Sequence, residues 1–279
     1  MAEKLGIALS SGGRGCVYQA GAIPGLNDKY GLIEPDLIAG GSGGAGNGSY
    51  YAAKQFEAYP EVWLEHTVSK DFINVGRLEK QIDIHHLIYK VFKEFCPLDV
   101  EEIKSSRTNL YISTTNLITG EVRFISNGNG ETVDLLDGLH ASKAMPIVYC
   151  VTPMIDDQPH ADTWISASLF TSIKKLKEEG ATKILAIDNE GSSWWLPIAY
   201  NAWFMHQTDA FRAQHELFED ERRNSSFEND PNIYFLRPSK PLRVGLLTNN
   251  LQTLTEAYNQ GYKDVFNDKG LEKFLEDCL

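Results

Sequence analysis

Apolar residues along this chain form two kinds of run, and the two kinds alternate. Short unbroken runs at Leu5–Leu9, Leu37–Ala39, Lys183–Asp188 and Ile233–Leu236 read as buried strands. Between them apolar residues fall at helical spacing. Ile84, Leu87, Ile88, Val91, Phe92 and Phe95 form one stripe, ended by Pro97; Leu169, Phe170, Ile173 and Leu176 form a second, closed by Gly180. Leu251, Leu254, Tyr258, Tyr262 and Val265 mark a C-terminal helix, and further helices are predicted from about Cys16 to Asp28, Gly43 to Lys54 and Val133 to Lys143. Asn109–Thr115 and Glu121–Ser126 flank a short Leu-Ile-Thr-Gly turn and read as a hairpin. Strand–loop–helix alternation predicts right-handed crossovers and a mostly parallel sheet, an α/β fold. Residues 191–231 carry Trp194, Trp195, Trp203 and Phe204 ahead of a charged stretch through Arg223. They read as a long helix or helix pair, either a cap over a site or a plain packing element. No repeat, low-complexity tract or linker interrupts the pattern, so one domain over residues 1–279 is expected.

Composition narrows the function classes. With 279 residues, 42% hydrophobic and 23% charged, the chain can bury a large core. Lys and Arg total 26 against 38 acidic residues, a net charge of −12. That balance argues against a nucleic-acid partner and against purely electrostatic docking on anionic membranes. A lipid or small ester substrate, with transient contact at a membrane or micelle, is left open. The apolar run Leu5–Leu9 is too short for a signal-peptide core or a membrane span. Cys16, Cys96, Cys150 and Cys278 are scattered with no C-x-x-C pair, which fits reduced thiols in a cytoplasmic protein. No histidine–carboxylate grouping has metal-ligand spacing, since His85 and His86 are adjacent and point apart on a helix. Neither a metal nor a cofactor is expected.

The candidate chemistry lies at two loops that leave the carboxyl ends of strands, where open α/β sheets place their sites. Gly40-Gly41-Ser42-Gly43-Gly44 is a G-x-S-x-G pentapeptide between the Leu37–Ala39 strand and a Gly/Ala-rich helix. A serine on such a turn has its hydroxyl pushed out of the backbone, with the following helix aiming its N-terminal N–H groups at developing negative charge. Gly12-Gly13-Arg14 follows the first strand and opens a helix, so its backbone N–H groups can cradle an anion. Arg14 either binds a substrate carboxylate or phosphate or pairs with a surface acid. Ser42 needs a base. None of the seven histidines carries a family-independent signature; His160 stands out because it lies two residues from Asp162 on an expected strand, where alternation places both side chains on one face.

Taken together, Gly-Ile-Ala-Leu-Ser (6–10), Gly-Gly-Arg-Gly (12–15), Tyr-Gln-Ala-Gly (18–21) and the Ser42 turn resemble the patatin-like phospholipase family. The resemblance runs on through Asp36-Leu-Ile-Ala-Gly40, Ala141-Ser142, Met145-Pro146, Ile173-Lys-Lys-Leu176, Leu236-Arg-Pro238 and Gly261-Tyr262. It implies a three-layer α/β/α sandwich with a central mostly parallel sheet. It also implies a serine acyl hydrolase working through a Ser–Asp dyad without a metal. Carried over, Ser42 is the nucleophile and Asp162 the base, with the backbone of Gly12, Gly13 and Gly43 as oxyanion hole.

The departures gather at the catalytic loops. In ungapped register Ser11 stands at the first of the family's three glycines, Arg14 at the variable position and Gly15 at the basic one. Gly41 and Gly43 replace the usual residues flanking the serine, and the Asp-Gly-Gly motif reads Asp162-Thr163-Trp164. Three accounts fit: an altered substrate pocket, a scaffold or binding protein whose site Trp164 blocks, or a rebuilt site using His160 or Cys16. A small buried cysteine at a helix start is the plainer role for Cys16.

Overall fold

The structure, a computed structural model, describes residues 3–166, 168–189 and 196–276. Among these, eight strands form one sheet: β1 (Leu5–Leu9), β2 (Leu37–Gly41), β3 (Asn109–Asn116), β4 (Val122–Ser126), β5 (Met154–Ile155), β6 (Gln158–Ala161), β7 (Lys183–Ile187) and β8 (Ile233–Leu236). Their order is β5-β6-β3-β2-β1-β7-β8, with β4 also paired to β3. From β3 to β8 every neighbour is parallel, while β4 and β6 run antiparallel to β3. The expected α/β/α sandwich is the architecture observed.

The pleat sorts β1 between two helical layers. Leu5, Ile7 and Leu9 face the larger core beneath α1 (Val17–Tyr30) and α2 (Gly43–Ala52). Ala8 faces the other way with Leu37, Ala39 and Ala186, against Ile173 and Leu176 of the helix Ser168–Glu178. Burial on both faces is why these strands read as unbroken apolar runs rather than as alternation. The described cysteines, Cys16, Cys96 and Cys150, are free thiols, and Cys278 lies outside the described residues. No described helix is long and apolar enough to cross a membrane.

One feature departs from the sequence reading. The stripe from Ile84 to Phe95 begins as α-helix and continues as π-helix over Leu87–Phe95. Its i→i+5 bonding widens each turn, so residues spaced for a 3.6-residue helix drift off the buried face. Ile84, Leu87, Ile88, Val91 and Phe92 stay buried, whereas Phe95 is 50% exposed and stacks on His66. The region 191–231 supplies a helix pair, Leu196–Phe204 and Asp209–Arg223, whose Phe211 packs with Ala161 and Ile165. Part of the expected cap, residues 191–195, lies outside the described residues.

The C-terminal helix Leu251–Asn267 crosses α1 at two glycines. A β-carbon on Gly21 would stand 1.9 Å from the Tyr258 carbonyl oxygen, and one on Gly261 would stand 2.0 Å from that of Tyr18. Backbone meets backbone there, so neither position has room for a side chain. Gly261→Val is expected to force the helices apart at an overpacking cost of roughly 1–3 kcal/mol or more. A melt followed by circular dichroism should show a Tm lower by about 2–4 °C for each kcal/mol lost.

Candidate active site

Ser42 sits where β2 turns into α2, with φ 54° and ψ −123°. Such backbone in a residue other than glycine costs roughly 1–3 kcal/mol and persists only when its surroundings over-determine it. Here both peptide groups of Ser42 are held. Its N–H donates to Ser142 Oγ at 2.9 Å, and the Lys143 ammonium donates to its carbonyl oxygen. Ser142 and Lys143 end the helix Leu135–Lys143, and the next carbonyl, that of Ala144, accepts the Asp162 N–H at 3.0 Å. One short turn therefore positions the backbone of both expected catalytic residues. Strand register brings them to the same end of the sheet, since Gly41 pairs with Ser113 on β3 and Ala161 pairs with Thr115.

The glycines flanking Ser42 answer to specific neighbours. A β-carbon on Gly41 would lie 2.8 Å from Ser113 Oγ and 2.9 Å from Thr163 Cβ. One on Gly43 would lie 2.6 Å from Cys16 Sγ and 2.7 Å from its Cβ. Thr163 and Cys16 thus fill the volume that larger residues at 41 and 43 would need. Thr163 Oγ1 also donates to the Ser113 carbonyl at 2.5 Å, which ties the turn after Asp162 to β3.

Ser42 and Asp162 line one cavity of about 70 Å³, together with Gly13, Gly43, Arg14 and Lys143. Its remaining walls are largely apolar, including Tyr50, Trp63, Phe72, Phe92 and Leu246. Burial pushes the Lys143 ammonium down to about 8, against the opposing pull of Cys16 and Asp162. Burial likewise brings Arg14 down to about 9.

Gly12, Cys16 and His160 stand apart from this cavity. Gly12 is not among its lining residues, and its carbonyl accepts the Gly15 N–H at 3.0 Å. Cys16 lies fully buried beneath the Ser42 turn, where burial pushes its thiol up to about 12 and Asn189 Nδ2 approaches the sulfur at 3.2 Å. Burial of this kind holds a thiol in its neutral form. His160 does not share a strand face with Asp162. β6 ends at Ala161, and Asp162 already turns into the 3-10 helix Thr163–Ser166, so alternation no longer applies. The imidazole is 3% exposed, Nδ1 has no hydrogen-bond partner, and burial pushes its pKa down to about 4. The Trp164 side chain lies outside what the structure describes. Sequence reasoning missed Lys143: a lysine in the last turn of a helix reads as an ordinary partner of the helix dipole, and nothing local reveals that it points into the core.

A model of the family described as patatin-like phospholipase matches residues 7–163, more than half of the chain. The chain belongs to that family. Its membership makes lipid hydrolysis the supported class of activity. No curated protein sequence matches the chain. Among solved structures, VipD from Legionella pneumophila is similar with a TM-score of 0.51 at 11% identity, over 99% of this chain and 67% of VipD. The type III effector protein ExoU is similar with a TM-score of 0.41 at 11% identity, over 99% of this chain and 54% of ExoU. At such identity the likeness to VipD concerns the fold.

Two predictions follow from this packing. Gly41→Ala is expected to destabilise the protein, and Thr163→Gly in the same chain to restore part of the loss. A double-mutant cycle from denaturant midpoints should then give a coupling of roughly 0.5–3 kcal/mol; additive losses would mean that the two sites do not share this space. For His160, an unfolded imidazole takes up a proton near its ordinary value of 6.5, but the folded one only near 4. The folded state therefore binds fewer protons between those values, and stability is lost as pH falls through that window. His160→Gln should flatten this decline in Tm.

Proposed function

We propose that the chain is a serine acyl hydrolase of lipid or simple carboxylic esters, acting as one cytoplasmic domain over its 279 residues. The observation that supports this most directly is the strained Ser42 turn opening, with the Asp162 carboxylate, onto a single largely apolar cavity. Ser42 Oγ attacks the acyl carbon while Asp162 takes its proton. Carbonyl electrons move onto oxygen, and the N–H groups of Gly13 and Gly43, at the mouths of the two loops, receive the oxyanion. Collapse expels the alcohol, which leaves with the proton from Asp162. A water deprotonated by Asp162 then attacks the acyl carbon, and collapse breaks the ester bond to Ser42 Oγ, which takes the proton back from Asp162 as the acid leaves. No step needs Gly12, His160 or Cys16. The paired fit of Gly41 with Thr163 and of Gly43 with Cys16 favours a repacked working site over a decaying one.

Ser42→Ala is expected to abolish labelling by a fluorophosphonate probe and hydrolysis of p-nitrophenyl esters. Asp162→Asn should lower kcat by about 10³-fold or more, by analogy with the loss of a triad member elsewhere. Full labelling of the alanine variant would remove Ser42 as nucleophile. The competing scaffold reading expects turnover only after Trp164→Gly, and robust turnover by the unmodified protein contradicts it.

A further inference from the structure

Lys143 brings a cation into a buried wall of the cavity that Ser42 and Asp162 line, where an apolar side chain would cost less. Its Nζ lies 5.9 Å from the Phe92 ring centroid. Gly46, one turn along α2 from Ser42, leaves the slot for it, since a β-carbon there would stand 2.8 Å from Nζ. The ammonium donates to the Ser42 carbonyl, which as the cap of α2 also receives the Gly46 N–H. That helical bond is long, 3.4 Å, so the lysine holds a carbonyl that its own helix grips weakly. Ser42 stands at φ 54°, a conformation that relaxes when its support weakens.

The strength of this hold depends on the charge of one nitrogen. A hydrogen bond from an ammonium is roughly twice as strong as one from a neutral amine. Asp162, which follows β6, and Cys16, which precedes α1, both favour that charge, while burial opposes it more strongly. The balance lets the proton leave at about 8, whereas the Cys16 thiol is pushed up to about 12. On the same helix as Lys143, His140 bonds the Tyr149 hydroxyl instead. Tyr50 and Tyr59 also line the cavity, with phenols pushed up by burial. Arg14 is a second cation there. Its Nε and Nη1 donate to the Thr248 carbonyl and Thr67 Oγ1, Nη2 is unpaired, and burial brings it down to about 9.

We propose that Lys143 is a positioning residue for acyl transfer, and that the Ser42 turn is fully competent only while the Lys143 nitrogen carries its proton. The proposal rests on the hydrolase reading of Ser42 and Asp162. It adds to that reading a residue that touches no reacting atom and acts through the Ser42 carbonyl.

The test measures fluorophosphonate labelling rates and kcat for p-nitrophenyl butyrate on the intact protein from neutral to alkaline pH, with thermal melts over the same range. Both rates are expected to fall roughly 10-fold as pH rises through about 8, the difference between a charge-assisted and a neutral hydrogen bond. Stability should move the other way. The unfolded lysine keeps its proton up to 10.5, so above about 8 the unfolded state binds more protons and the fold gains stability with pH. A lysine that only packs gives the gain in Tm without the loss of rate. Lys143→Gln keeps a donor but not the charge, so it should lower the neutral-pH rate by the same factor and remove both the alkaline limb and the gain in Tm. Gly46→Ala favours the helix but displaces Nζ, and should lower kcat rather than raise KM. Level rates through the alkaline range overturn the proposal, as does a limb that survives in Lys143→Gln and so belongs to Arg14. Should Lys143→Gln fail to fold, an unaltered kcat in Gly46→Ala overturns it instead. In each of these cases Ser42-dependent labelling persists and the hydrolase reading stands; absence of that labelling at every pH overturns both.

Discussion

The grip of one helix end on the Ser42 peptide groups is the constraint on which the site depends. A serine at positive φ relaxes unless its neighbours hold it, and here the Ser142 hydroxyl takes its N–H while the Lys143 ammonium takes its carbonyl. The following residue, Ala144, accepts the Asp162 N–H, so strain at Ser42 and placement of Asp162 share one support. Moving that turn would move both residues together. Keeping a lysine there has its own cost, because its ammonium is desolvated, and the cost is offset by the carbonyl it binds and by nearby Asp162.

Around this support the departures from the family pattern fall into pairs. Bulk removed at 41 reappears at Thr163, and bulk removed at 43 reappears at Cys16, with contacts too short for a β-carbon on either glycine. Volume-conserving exchange of this kind keeps a core packed while changing which element supplies the atoms. It gives a packing reason for a cysteine beside the Gly12-Gly13 loop.

The fold was legible because its signals are local. Runs buried on both faces marked β1, β2, β7 and β8, and Pro97, Pro146 and Gly180 punctuated the helices. The serine turn and Asp162 could be found from motif and order. Three things were not legible, for different physical reasons. Winding of Leu87–Phe95 as a π-helix is set by packing rather than propensity, so Phe95 was misplaced. The end of β6 at Ala161 broke the alternation that linked His160 to Asp162. Lys143 and the unpaired Arg14 Nη2 are properties of burial, and burial of a charged group leaves no trace in local sequence.

The crossing of α1 with the C-terminal helix carries a consequence for how the protein is made. Tyr18 and its hydrogen-bond partner Asp264 are 246 residues apart, and β1 pairs with β7 as well as with β2. β1 and α1 therefore wait through the 246-residue separation of Tyr18 and Asp264 before their apolar faces are covered. Contacts so distant in sequence slow folding and prolong the exposure of unpaired strand edges during synthesis. The glycine-rich loop, being anchored between that strand and that helix, settles only after the helix Leu251–Asn267 has docked, so a nascent chain holds no assembled site before then.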